Sequence, residues 1–290
     1  MSTAGLRVGS LLVGIVSGSL FVPPCCFGQP PVPPIQEQDF TLALWAFRSD
    51  NLELNTDLSP AEAVKLLSKL EQLVSNLNVY WGEPLKGRIR CFVVADLSRW
   101  PESELAAEGR MKIEEKSGTT ITLRSSLDGQ VQSVQSIVYA AADGRTPLHE
   151  AVHAYCWQTF GRCGPEWFAE GMAEVGAYWR SDRRFECPVW MVNYLRSDTR
   201  ATPKDILSGE LGNRKPWQVY AHRWALCQLL VSNPRYSERF RQYSRDLLQG
   251  RQVDFAERFP ELKGTLATDY RAFLTQLEST YHTAQKTASD

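Results

Sequence analysis

His149 and His153 lie four residues apart, with Glu150 next to the first of them. On an α-helix such positions stand one above the other on a single face, so both imidazoles can reach one metal ion while Glu150 sits beside its open coordination position. This pattern constrains the chain more than any other feature. A hydrolytic metal takes three protein ligands and keeps one position open, so two histidines leave one ligand to be brought in from another element. The competing reading is a surface helix that carries two histidines by chance.

The segment downstream offers that ligand. Gly161 can end the histidine helix in the left-handed conformation, and Gly164-Pro165 can open a second helix that runs through Glu166, Trp167, Phe168, Glu170, Gly171, Ala173 and Glu174. Glu170 is the candidate third ligand. Glu174, one turn further along the same face, could accept the N–H of a metal-bound imidazole, that of His149, and fix its tautomer. Glu166, Glu170 and Glu174 also fall at the spacing of a solvated helix stripe, which is the bland alternative.

The pattern His149-Glu150-x-x-His153 followed by Trp167-Phe168-x-Glu170-Gly171-x-Ala173-Glu174 resembles the gluzincin metallopeptidases. It looks most like their small, secreted, peptidase-MA-like bacterial members, many of them planctomycete proteins. Tyr220-Ala221-His222-Arg223-Trp224-Ala225-Leu226 resembles a later helix of the same group. The resemblance is specific over about residues 145 to 230 and loose upstream, from 38 to 144. It implies a zinc ion held by His149, His153 and Glu170, with Glu150 as general base and Tyr220 as the donor to the oxyanion. Tyr220 has an equal structural reading, as an aromatic packed beside Trp224. His222 is not a position the family marks and reads as a surface or second-shell residue. Ala169 stands where aminopeptidase relatives have Asn, and their Gly-x-Met-Glu-Asn segment is absent, which disfavours an aminopeptidase. The expected activity is that of an exported zinc endopeptidase acting on proteins or peptides. The alternative is a catalytically vestigial gluzincin-fold module for binding or assembly, against which the retained Glu150 speaks.

Residues 1–28 read as a signal peptide: Arg7 is a short basic start, Val8 to Val22 is apolar and uncharged, and Cys26-Phe27-Gly28 places small residues at a cleavage site. The mature chain is expected to begin near Gln29 and to be secreted or periplasmic, without a stable membrane anchor. With 32 basic against 33 acidic residues, the chain carries no electrostatic footprint for nucleic acid. Outside the leader remain Cys91, Cys156, Cys163, Cys187 and Cys227. Export permits disulfides, and a bridge from Cys156 to Cys163 would close the turn between the two site helices, although an odd number leaves one thiol over.

Residues 29–38 form a Pro-rich linker. Phe40 to Phe47 alternates as a strand, with Leu52 to Asn55 as a hairpin partner. Ser59-Pro60-Ala61-Glu62 starts a helix whose apolar face runs from Val64 to about Tyr80. Arg88 to Ala95 and Thr119 to Leu123 read as strands, and Ser133 to Ala142 is ambiguous between strand and helix. The strand Thr119 to Leu123 is either core or the sheet edge on which gluzincins lay a substrate. From Thr146 onward the pattern is helical, with helices at about 189–197, 215–232, 236–249 and 263–282. Early strands and late helices predict an α+β fold resembling a minimal thermolysin-like peptidase. A β-containing lobe would span 39–160 and a helical lobe 161–285, with the metal helix at the cleft.

Overall fold

The computed structural model describes residues 44–127, 130–179 and 187–287. The expected leader, the Pro-rich linker and the first half of the Phe40 to Phe47 strand lie outside the described residues. The described residues open with a hairpin, β1 (Trp45–Arg48) and β2 (Leu52–Thr56), then α1 (Pro60–Trp81) and β3 (Ile89–Val94). After α2 (Ala107–Glu114) come β4 (Gly118–Leu127) and β5 (Gln130–Ala141), then α3 (Thr146–Phe160) and α4 (Glu166–Tyr178). The described residues after α4 form helices: α5 (Val189–Ser197), α6 (Pro203–Ser208), α7 (Pro216–Ser232), α8 (Ser237–Leu248), α9 (Phe255–Arg258) and α10 (Thr265–Thr287). This is the expected α+β arrangement, with the sheet in the N-terminal part and helices after it.

Local chemistry explains these elements. Ser59 caps α1 through a reciprocal capping box with Glu62, and Pro60 takes the first turn, where its missing N–H costs nothing. The sheet order is β1-β2-β3-β5-β4; β2, β3 and β5 run parallel, while β1 and β4 pair antiparallel at the two edges. Side chains alternate between the faces. Leu52, Leu54, Ile89, Cys91, Val93, Val138 and Ala140 join the main core under α1 and α3. On the opposite face Val94, Ile137 and Tyr139 pack with Trp100, Leu105 and Ile113 under α2. Phe92 and Tyr139, paired across β3 and β5, stack at 5.2 Å.

The ambiguous segment from Ser133 to Ala142 is a strand through Ala141. β4 also runs past Leu123, because its polar residues Arg124 and Ser125 continue the ladder opposite Val134 and Ser133 as an exposed ribbon. Such a ribbon is held by backbone bonds and leaves no apolar alternation in the sequence. The short helix α2 has no side-chain cap, and α6 is only six residues long despite a Thr202–Asp205 capping box, so neither is anticipated by periodicity.

Helix α3 lies between the sheet and the later helices. Its buried Gln158 accepts from the N–H of Ser136 on β5 at 2.9 Å and donates to the carbonyl of Lys86 at 2.6 Å, fastening one face to the sheet. On the core side Tyr155 stacks on Trp81 of α1 at 5.5 Å. A single apolar cluster continues from there through Phe168, Trp224, Phe240 and Tyr270, linking α4, α7, α8 and α10. Among the described residues no helix is long and apolar enough to cross a membrane.

Candidate metal centre

Asp143 sets the start of α3: its carboxylate accepts from the backbone N–H groups of Arg145 and Thr146 and from the Thr146 hydroxyl. Gly161, with φ 75°, closes the other end in the left-handed conformation. His149 and His153 then project from one face, and Glu170 meets them from α4. Nε2 of His149 and Nε2 of His153 are 3.2 Å apart, and Oε2 of Glu170 is 3.2 Å from the first and 3.5 Å from the second. A tetrahedral metal with bonds of about 2.0–2.1 Å has ligand–ligand edges of roughly 3.3–3.4 Å. The three atoms therefore form one face of such a tetrahedron, and this group could hold a metal ion.

The supporting residues orient those ligands. Oε1 of Glu174 is 3.1 Å from Nδ1 of His149, at hydrogen-bond distance although the N–H direction falls short of a well-aligned bond. Glu174 is itself buried and is gripped by Arg145, whose Nε lies 3.2 Å from Oε2. Arg145 precedes His149 by one helical turn, so the same periodicity that pairs the histidines places this guanidinium under Glu174. Burial disfavours the imidazolium of His149, yet Glu170 and Glu174 outweigh it and raise its pKa to about 9. In the same way, burial of His153 is overcome by the Cys163 thiol and Glu170, and its pKa rises to about 10. Burial opposes ionisation of Glu170 too, but both imidazoles hold its carboxyl well below the usual carboxylate range. The carboxylates of Glu170 and Glu174 beside two largely buried imidazoles suit a cation that takes the place of the imidazole protons.

Glu150 faces the same cleft, whose volume is about 510 Å³. Its carboxylate Oε2 and its backbone carbonyl both lie 2.9 Å from Oγ1 of Thr120 on β4. The register pairs Thr120 with Val138, which places it on the α3 face of the sheet. Close approach of β4 to α3 depends on Gly118: a Cβ there would lie 2.6 Å from Cγ2 of Thr146 and 2.8 Å from Cγ of Glu150. Gly171 does the same for α4 and α7, where a Cβ would meet Sγ of Cys227 at 2.4 Å. That contact brings Tyr220 to the cleft, its ring 6.1 Å from the His149 ring.

His222 departs from expectation. It is completely buried rather than at the surface, and it does not line the cleft. Residues Ala221 to Leu230 of α7 are buried all round, so the helix has no solvated face on which His222 could lie. Its Nδ1 lies 2.9 Å from Oη of Tyr270, and its Nε2 is 3.2 Å from Oη of Tyr194 and 3.4 Å from Oδ2 of Asp198. Among the described residues, Cys91, Cys156, Cys163, Cys187 and Cys227 are buried free thiols. Cys156 and Cys163 are unbridged; Sγ of Cys163 lies 3.5 Å from the His153 carbonyl, and the neighbouring Cys156 thiol draws the Cys163 pKa down against its burial.

Sequence reasoning missed Thr120 as a partner of Glu150, Arg145 as a partner of Glu174, and the aromatic wall formed by Trp190 and Trp217. Only Arg145 carried a usable signal, its position one turn before His149. Comparison with protein-family models and with curated proteins finds no match to this chain.

Proposed function

We propose that the protein is an exported zinc-dependent endopeptidase. The observation that carries this reading is the convergence of His149, His153 and Glu170 at 3.2–3.5 Å, with the Glu150 carboxylate beside them in an open cleft. Two imidazoles and one carboxylate are the ligand set of hydrolytic rather than structural zinc. Zinc held there supplies Lewis acidity, acidifying water and polarising a carbonyl.

The chain's own residues supply the rest. Glu150 takes the proton of the attacking water and hands it to the leaving amine. Thr120 holds the Glu150 carboxylate toward the cleft. Tyr220, whose hydroxyl is pushed up to about 12 mainly by burial, remains protonated at neutral pH and donates to the oxygen on which negative charge develops. Glu174, backed by Arg145, keeps His149 turned so that Nε2 faces the cleft. Edge strand β4 offers backbone groups along which an extended peptide can lie. The signal sequence expected at residues 1–28 makes export part of the proposal, and N-terminal sequencing from the native host checks it.

Metal analysis and digestion of a complex peptide mixture test the activity. The expected result is one zinc per chain, internal cleavages by the wild type, and at least about a hundredfold loss in Glu150→Gln with zinc retained. A chain that binds no zinc at neutral pH sinks the proposal, and zinc binding without cleavage reduces it to a binding scaffold.

A further inference from the structure

Two tryptophans stand half-exposed in the wall of the metal cleft. Trp190 on α5 is 50% exposed and Trp217 at the start of α7 is 41% exposed, although most large apolar side chains around them are buried. Their rings meet edge to face at 5.3 Å with planes 79° apart, making a corner rather than a flat shelf. Trp217 precedes Tyr220 by one helical turn, so the corner and the candidate oxyanion donor share one face of α7. Met191 and the histidine pair line the same cleft.

The corner is anchored from behind. The Trp217 ring packs at 4.8 Å against Tyr194, whose hydroxyl donates to Oδ2 of Asp198 at 3.0 Å. Asp198 in turn receives Nε of Arg214 at 2.6 Å and Nη2 at 3.1 Å, a two-point clamp on both carboxylate oxygens. His222 and Tyr270 complete this buried network. An apolar surface held in place this way loses little freedom on binding, which makes it an effective receptor for apolar area.

We infer that the Trp190–Trp217 corner is a subsite for one bulky apolar side chain, aromatic or large aliphatic, of a peptide bound across the metal centre. This rests on the peptidase reading and specifies its substrate class. Perpendicular rings enclose a side chain on two sides, with edge-to-face contacts available to an aromatic one.

The test titrates the zinc-loaded Glu150→Gln chain with end-blocked octapeptides that differ only in one central residue: Phe, Leu or Ala. Phe and Leu peptides should bind at least about tenfold more tightly than the Ala peptide. Trp190→Ala and Trp217→Ala should each cut that preference to about twofold or less while zinc content and circular dichroism stay unchanged. Independently of any tryptophan substitution, the Phe peptide should shield tryptophan fluorescence from acrylamide and the Ala peptide should not. Equal binding of the three peptides, absence of binding, a preference that survives both substitutions, or tighter binding of a chito-oligosaccharide overturns the inference. Cleavage of a peptide mixture by the wild type separates the two ideas. Cutting without side-chain preference removes the subsite and leaves the peptidase; no cutting with the binding preference intact removes the peptidase and leaves an apolar peptide site.

Discussion

Oγ1 of Thr120 lies 2.9 Å from Oε2 of Glu150 and 2.9 Å from the backbone carbonyl of the same residue. One hydroxyl proton serves two acceptors. With Glu150 ionised, the hydroxyl donates to the carboxylate; once Glu150 holds a proton, its acid O–H can donate to Oγ1 while Thr120 turns its own proton to the carbonyl. The contact therefore fits both states of a general base. Thr120→Val should lower kcat/KM roughly tenfold, about 1.4 kcal/mol, with zinc content unchanged, and Thr120→Ser should restore most of it. Wild-type kinetics in the valine variant would remove Thr120 from the mechanism.

The ligand and its support should separate in metal affinity. Glu170→Ala removes one corner of the ligand triangle and should abolish stoichiometric zinc binding. Glu174→Gln keeps a polar partner for Nδ1 of His149 but loses the charge held by Arg145, and should weaken zinc by about 10–100-fold. Competition with a chelator measures both, and equal effects would show that Glu174 is more than a support.

Tyr220→Phe distinguishes donor from packing residue. Loss of a hydroxyl that acts in the transition state should lower kcat by roughly 2–4 kcal/mol of barrier, with KM and zinc nearly unchanged. A silent Phe variant would leave Tyr220 as an aromatic wall, and the buried His222 could not take its place.

Gly118→Ala places a methyl group 2.6 Å from Thr146 and 2.8 Å from Glu150, with the Tyr139 carbonyl at 3.0 Å. The Thr146 and Glu150 atoms lie close to the α3 backbone, and the third obstacle is backbone of the paired strand β5, so β4 must shift against both. The expected cost is about 1–3 kcal/mol in denaturant unfolding, together with a loss of activity larger than the stability change accounts for. An alanine variant with native stability and activity would show that the strand edge is not held in place by this contact.

His222 gives a pH dependence of definite sign. Burial holds its pKa down to about 4, against the pull of Asp198, while in the unfolded chain it titrates near 6.5. Between those values the unfolded chain binds a proton that the folded chain refuses, so the contribution of His222 is full above about pH 6.5 and is lost as pH falls toward about 4. The loss approaches about 3 kcal/mol. Unfolding free energies of wild type and His222→Gln between pH 7 and pH 4.5 check this: the difference should narrow on acidification, since the other titrating groups cancel in the comparison. A constant difference would mean that His222 is not held neutral.

The division between sequence and tertiary structure follows the range of the forces involved. Helix period alone aligned His149 with His153 and Glu170 with Glu174, and the Ser59 capping box and Gly161 marked helix ends, because these depend on residues within a turn or two of each other. The buried-strand character of Arg88 to Ala95 marked β3, and Thr119 to Leu123 marked the start of β4. The strand state of Ser133 to Ala142 stayed open because a short apolar run fits a buried helix or a buried strand equally well until a partner strand is present. Which way Thr120 points, that Arg145 reaches Glu174, that His222 is buried and that Trp190 meets Trp217 depend on contacts between elements distant in the chain. Such contacts are set by packing, through close approaches such as Gly118 to α3 and Gly171 to α7, and leave no periodic trace in the residues that make them.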